Sequence, residues 1–192
     1  MSSRKICFAT TNPHKFEEAS VIARHYGIEL EQCSIPKLEV QGEDLVEIVV
    51  KSATLIYLVT SMPVLVEDAG LFIKALNGFP GPYSNYVYKT IGIKGVLKLL
   101  ENIKEREACF KSAAALTYER GIIIGEGKVC GYIVETPRGT GGFGFDPIFV
   151  PYSETRTFAE MSVEEKNKYS HRAKAISQVF AKYIRSVEDY TK

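Results

Sequence analysis

The chain lacks most of the features by which a sequence announces its partners. No sign of charge dominates: 24 Lys and Arg stand against 23 Asp and Glu, a formal net charge of +1. That balance excludes a global basic field for a nucleic-acid backbone, so any phosphate must be bound locally. No apolar run reaches the roughly 18 residues that a membrane-spanning helix needs. The opening MSSRKICFAT has no long apolar stretch of the secretory kind. The expectation is a cytoplasmic protein with no membrane or nucleic-acid partner. The four cysteines, Cys7, Cys33, Cys109 and Cys130, form no C-x-x-C pair. That spacing argues against a zinc site or a disulfide framework and predicts free thiols. Walker A, protein-kinase and catalytic Ser or Cys signatures are absent as well.

What remains is an ordinary globular composition, 45% hydrophobic and 24% charged over 192 residues. It suits one domain over residues 1–192, built as two fused lobes. RKICFAT (4–10) reads as a buried strand. Asn12 and Pro13 then supply an N-cap and an N1 proline for a helix that Gly27 stops. IELEQCS (28–34) alternates as a strand, and Asp44 with Glu47 resembles a capping box opening a helix through about Val59. PVLVED is a buried strand ending in two acids, with GLFIKAL following. A Gly/Pro loop (77–85), two helical stretches and two long strands (109–119 and 121–135) come next. The loop PRGTGGFGFDP, a short strand IFVP and a helix from Ser170 complete the chain. This order predicts an α/β fold with a mixed sheet.

Two helix starts carry cations where the macrodipole disfavours them: His14 and Lys15 in the first helix, His171 and Arg172 in the last. A bound anion would remove the misfit. The adjacent carboxylates Glu67 and Asp68 repel unless a cation or proton relieves them. With Glu39 in the acidic loop KLEVQGED, near Gly42, Glu43 and Asp44, an oxygen-only donor set favours a hard cation such as Mg2+. The loop GTGGFG matches G-x-G-x-x-G in form alone, since prolines rather than a helix follow it. Its Phe143 and Phe145 could stack on a planar base or plug the core. Together these features outline a pocket for a nucleoside polyphosphate with Mg2+, in which water attacks phosphorus. Spacing does not choose between Glu67 and Asp68.

The set TTNPHK, VEDAGLF, FPGPYS, GFGFDPIF and FAEMSVEEKNKYSHRAKA resembles the inosine triphosphate pyrophosphatase family, the Ham1-like enzymes also called XTP/dITP diphosphatases. The resemblance implies an elongated, strongly twisted mixed sheet, helices forming two lobes around a central cleft, and a homodimer. It implies Mg2+-dependent hydrolysis of ITP, dITP and XTP to the monophosphate and pyrophosphate. By it, Thr10, Thr11, Asn12, Pro13, His14 and Lys15 form the phosphate turn, and Lys51 reaches the phosphates. Asp68 is the general base and, with Glu39, holds the metal, assisted by Glu67. Ala69 touches substrate through its backbone. Phe143, Gly144, Phe145 and Asp146 flank the base, and Lys166, His171 and Arg172 complete the pocket, the last two reading the 6-oxo group. Some relatives carry Trp where Phe145 stands. Two other readings stay open: a Maf-like pyrophosphatase for other modified nucleotides, and a non-catalytic nucleotide sensor.

Overall fold

Strand β1 (Lys5–Phe8) leads through a short turn into helix α1 (Pro13–His25). Pro13 opens the helix where a missing N–H is harmless, and the Asn12 side chain accepts from the His14 and Lys15 amides at 3.0 and 3.4 Å. Gly27, at φ +62, ends it in a conformation that a side chain would resist. A computed structural model describes residues 5–33 and 40–189. Among them β2 (Glu29–Gln32) follows, then α2 (Leu45–Thr60). Asp44 caps α2 by accepting from the Val46 amide at 2.8 Å. Glu47, predicted to close a capping box, instead pairs with Lys51 one turn along the helix.

The stretch read as a strand ending in two acids is one continuous strand, β3 (Val64–Ile73), with Glu67 and Asp68 inside it. Next come β4 (Pro80–Gly81), α3 (Ser84–Thr90) and α4 (Gly92–Leu99). The long hairpin of β5 (Glu107–Tyr118) and β6 (Gly121–Ile133) follows, then β7 (Phe149–Pro151). The short helix α5 (Val163–Asn167) starts at a capping box of Ser162 and Glu165, and α6 (His171–Glu188) closes the chain.

The sheet runs β2-β1-β3-β5-β6-β7, with β4 pairing to β3. β1 is parallel to β2 and β3, and every other pairing is antiparallel. Strand alternation divides the core. Phe8, Leu65, Ala114 and Leu116 pack with Ile22, Ile176 and Phe180 of α1 and α6 on one face. Val64, Val66, Ala113 and Ala115 pack with Val49 and Ala53 of α2 on the other. A further cluster of Leu71, Ile73, Phe110, Phe149 and Phe158 occupies the other end of the sheet, so β5 runs through two packed regions. This is the expected α/β fold with an extended mixed sheet. No helix among the described residues is long and apolar enough to cross a membrane.

The expectation of free thiols is overturned. Cys109 pairs with Cys130 and Cys7 with Cys33, across Cα separations of 4.1 and 5.7 Å. Sequence spacing concealed both pairs because strand register creates them. Cys109 and Cys130 are directly opposed in β5 and β6, and Cys33 follows β2, which lies beside β1 and Cys7.

Candidate active site

β1 is flanked by β2 on one side and β3 on the other, and the intervening helices α1 and α2 lie on opposite faces. Strand order therefore reverses at β1, and a crevice opens beyond the carboxyl ends of its parallel strands. β1 pairs with β3 only at Cys7↔Val64 and Phe8↔Leu65. Beyond Leu65, that edge of β3 is left to the turn between β1 and α1. Within the turn the Thr10 hydroxyl accepts from the Asn12 amide at 3.2 Å. Thr11, Pro13 and His14 are exposed at the start of α1, and Lys15 points inward.

Alternation separates the two neighbouring acids. Glu67 lies on the face shared with α1 and α6, and its side chain is fully buried. Its Oε1 accepts from the Ser112 hydroxyl at 2.6 Å, while Oε2 lies 3.0 Å from Lys15 Nζ and 3.2 Å from Arg172 Nε. Burial would raise the Glu67 pKa, but the charges of Arg172 and Lys15 outweigh it and hold the group far below the usual carboxylate range. Asp68 lies on the α2 face, 22% exposed, with Lys15 Nζ at 3.6 Å. A groove of about 500 Å³ runs along that face, lined by Asp44, Phe72, Lys111, Ala113, Glu126 and Lys128. Neither this groove nor a larger hollow of about 670 Å³, bordered by Arg106, Tyr132 and Tyr152, is lined by any of the residues expected at the site.

On the Glu67 face the charges continue inward. Arg172 Nη1 donates to Glu18 Oε2 at 2.6 Å, and Lys166 Nζ lies 2.7 Å from Glu18 Oε1 and 2.5 Å from Asp146 Oδ2. Glu18, Glu67 and Asp146 thus face Lys15, Lys166 and Arg172, three acids against three cations. Glu18 is held low by Arg172 and Lys166 against the opposing effect of burial, whereas burial wins at Asp146 and raises it. Burial and the neighbouring Arg172 charge push His171 well below its ordinary value, so the ring is neutral. The ring lies flat on Phe110, 4.7 Å between centroids, and its Nδ1 is buried without a hydrogen-bond partner. Gly127 lets α6 approach this closely, since a Cβ there would stand 1.9 Å from the His171 carbonyl oxygen.

The glycine loop hangs from the same cluster. Asp146 Oδ2 also accepts the Phe143 amide at 2.9 Å. Gly142, at φ +65, allows this, because a Cβ would come within 2.3 Å of that oxygen. The Phe143 ring stacks with His14 at 5.3 Å, and Lys166 Nζ and Arg172 Cζ lie 4.8 and 5.3 Å from its centre. Gly144 is partly exposed beside it. Phe145 is turned into the core, edge-on to Tyr88.

The turn between β1 and α1, a partly exposed carboxylate and a buried cationic cluster beneath an aromatic ring therefore meet near the carboxyl end of β1. A model of the Ham1 family matches residues 6–182 of the sequence. The chain belongs to the Ham1 family. It is 53% identical to the dITP/XTP pyrophosphatase of Saccharolobus solfataricus over 97% of this chain and 95% of that protein. It is 50% identical to the dITP/XTP pyrophosphatase of Hyperthermus butylicus over 93% and 94%. Among solved structures, a HAM1 protein from Coxiella burnetii superimposes with a TM-score of 0.81 at 33% identity, covering 94% of this chain and 98% of its own.

Within this Ham1 chain most of the expected site residues converge, and a few stand apart. Lys51 is exposed and paired with Glu47. Ala69 sits beside Asp68 in β3, opposite Ser112. Glu39 lies outside the described residues. The cations at the start of α6 are offset from within, Arg172 by Glu18 and Glu67, so that start needs no external anion. Sequence reasoning missed Glu18 and Ser112. Glu18 carried a signal, an acid on the helical stripe with Ala19 and Ile22 that α1 buries. Ser112 carried none.

Proposed function

We propose that the chain is a Mg2+-dependent pyrophosphatase for deaminated purine nucleoside triphosphates: ITP, dITP and XTP. Its relatives named dITP/XTP pyrophosphatase and the convergence at the β1–β3 crevice support this reading. One observation carries it: the cations expected at phosphate and base, Lys15 and Arg172, meet on a single carboxylate oxygen, Glu67 Oε2. The chain works as one unit of two lobes around this cleft, in the cytoplasm and as a homodimer.

Thr10 to Lys15 bind and orient the phosphates. Arg172 and the neutral His171 donate to the 6-oxo group of hypoxanthine or xanthine. Adenine presents an amino group there, leaving a buried donor unpaired, which costs about 1–3 kcal/mol. Phe143 stacks on the base. The residues fit a hard cation: Asp68 is a partly exposed carboxylate with Lys15 Nζ at 3.6 Å, and oxygen donors suit Mg2+. Asp68, with Glu39, would hold it, and the bound ion would neutralise charge on the phosphates. Asp68 accepts a proton from the attacking water, whose oxygen bonds to phosphorus as the α–β anhydride breaks and pyrophosphate leaves.

The test is pyrophosphate release from ITP, XTP, GTP, ATP and modified pyrimidine triphosphates, with Mg2+ and then with a chelator. The expected result is a preference for ITP and XTP that the chelator abolishes. A preference for modified pyrimidines would overturn the substrate class, and no release would overturn catalysis. Asp68→Asn should lower kcat by about 10²–10⁴-fold while nucleotide still binds. A wild-type rate in that variant would remove Asp68 as base.

A further inference from the structure

Glu67 occupies the junction between the two halves of the site. Lys15 reaches it from the phosphate turn and Arg172 from the first turn of α6, and both address the same oxygen, at 3.0 and 3.2 Å. Two cations this close to one point repel each other strongly at low dielectric and share it only because a negative charge lies between them. The Ser112 hydroxyl, 2.6 Å from the other oxygen, fixes the carboxylate's rotation.

We infer that Glu67 is a positioning residue and not a metal ligand: it locks Lys15 and Arg172 to each other, coupling recognition of the base to alignment of the phosphates. The inference rests on the nucleotide reading above. One Glu67 oxygen accepts the Ser112 hydroxyl, the other lies between two cations without a hydrogen bond to either, and the side chain is fully buried. A divalent ion, which keeps several waters when it binds protein, would have to displace these partners from a buried carboxylate. Asp68 is next in sequence, yet alternation puts its carboxylate on the opposite, accessible face. Without the Glu67 charge, Lys15 has Asp68 as its remaining close acid among the described residues, 3.6 Å away, and Arg172 has Glu18. Each cation keeps a partner, but the two lose their common one. A base that engages Arg172 then no longer fixes where Lys15 stands. The loss should appear in the chemical step for the correct base rather than as uniform binding.

The experiment compares wild type, Glu67→Gln and Ser112→Ala. Thermal unfolding establishes that each is folded. Steady-state kinetics with ITP and ATP are run at saturating Mg2+. Mn2+ binding to the complex with an α,β-methylene analogue of ITP is followed by electron paramagnetic resonance. Glu67→Gln should lose about tenfold in kcat for ITP, the size of a typical coupling between sites. Its KM for ITP should change far less, its ITP-over-ATP preference should shrink, and its Mn2+ affinity should stay at the wild-type value. Loss of Mn2+ affinity would make Glu67 a ligand and overturn the inference. An unchanged preference, or equal losses on ITP and ATP, would reduce it to a structural strut and overturn it as well. If Glu67→Gln does not fold, Ser112→Ala decides, because it frees the carboxylate while leaving every charge in place. A smaller preference for ITP in that variant supports the coupling, and an unchanged one overturns it. A wild-type protein that does not distinguish ITP from ATP would sink the nucleotide reading itself, a result visible before any variant is made.

Discussion

Glu18 of α1 and Arg172 of α6, 154 positions apart in the chain, meet at 2.6 Å in the interior, and the contact ties together the two helices whose first turns carry the candidate site. Such a buried pair is weak evidence for stability, because two desolvated charges must be offset by their attraction. Its effect here is geometric. Glu18 also holds Lys166, which holds Asp146, which accepts the Phe143 amide, so the loop that carries the aromatic ring is anchored to α1.

This cluster sets how stability should respond to pH. Glu18 and Glu67 are depressed in the folded state, so their contribution is present above the unfolded value near 4.5 and is lost as pH falls through the folded values. His171 is also depressed, so the unfolded state takes up its proton first, and stability falls once pH drops below about 6.5. Asp146 is raised and opposes them, favouring the folded state as pH falls toward 3.8. Above about pH 4.5 only His171 and Asp146 act, in opposite directions; below it the two depressed acids act together. Urea unfolding from about pH 4.5 downward should show steadily lower stability, and a flat profile there would contradict this balance.

His171→Gln should reduce the preference for ITP over ATP by about 10- to 100-fold, the range for a lost hydrogen bond at a discriminating site. Arg172→Ala is a poorer probe. It takes one of two cations from each of the buried acids Glu18 and Glu67, leaving Lys166 and Lys15, and should destabilise the protein by about 3–5 kcal/mol. Competition kinetics with mixed ITP and ATP, beside unfolding curves for both variants, would separate recognition from collapse. An unchanged preference in His171→Gln would place base reading elsewhere.

Gly142→Ala should raise KM for ITP more than it affects kcat. The new methyl would meet Asp146 Oδ2 at 2.3 Å in a backbone with φ +65, displacing the Phe143 amide from its acceptor. Loss of base stacking is worth about 1–3 kcal/mol, so KM should rise about tenfold or more. Wild-type KM would mean that the loop conformation does not place the ring.

Titration of thiols in denatured, unreduced protein should find none free, since all four cysteines are paired. Each bridge closes a loop of moderate length, with sequence separations of 26 and 21. Reduction should therefore lower stability by about 2–4 kcal/mol per bridge, seen as a lower Tm. Four reactive thiols would restore the picture drawn from spacing alone.

The sequence by itself determined much of the local structure and the family. Asn12, Pro13 and Gly27 bound the first helix through cap and φ preferences that act within a few residues, and alternation marks the strands. The motifs around Asp68, Phe143 and His171 were enough to identify the family. Only tertiary structure decided how those residues are used. Glu67 and Asp68 looked like one repelling pair at a strand end, but an unbroken β3 places them on opposite faces. Arg172 and Lys15 then neutralise Glu67, while Asp68 is left accessible. Glu18 was passed over in the sequence, and only α6 and α5 bring it two cations. The cysteines looked unpaired until strand register set them side by side. The reason is the range of the forces. Caps and turns are settled by neighbours in the chain, whereas a buried charge takes its partner from whichever element the topology packs against it.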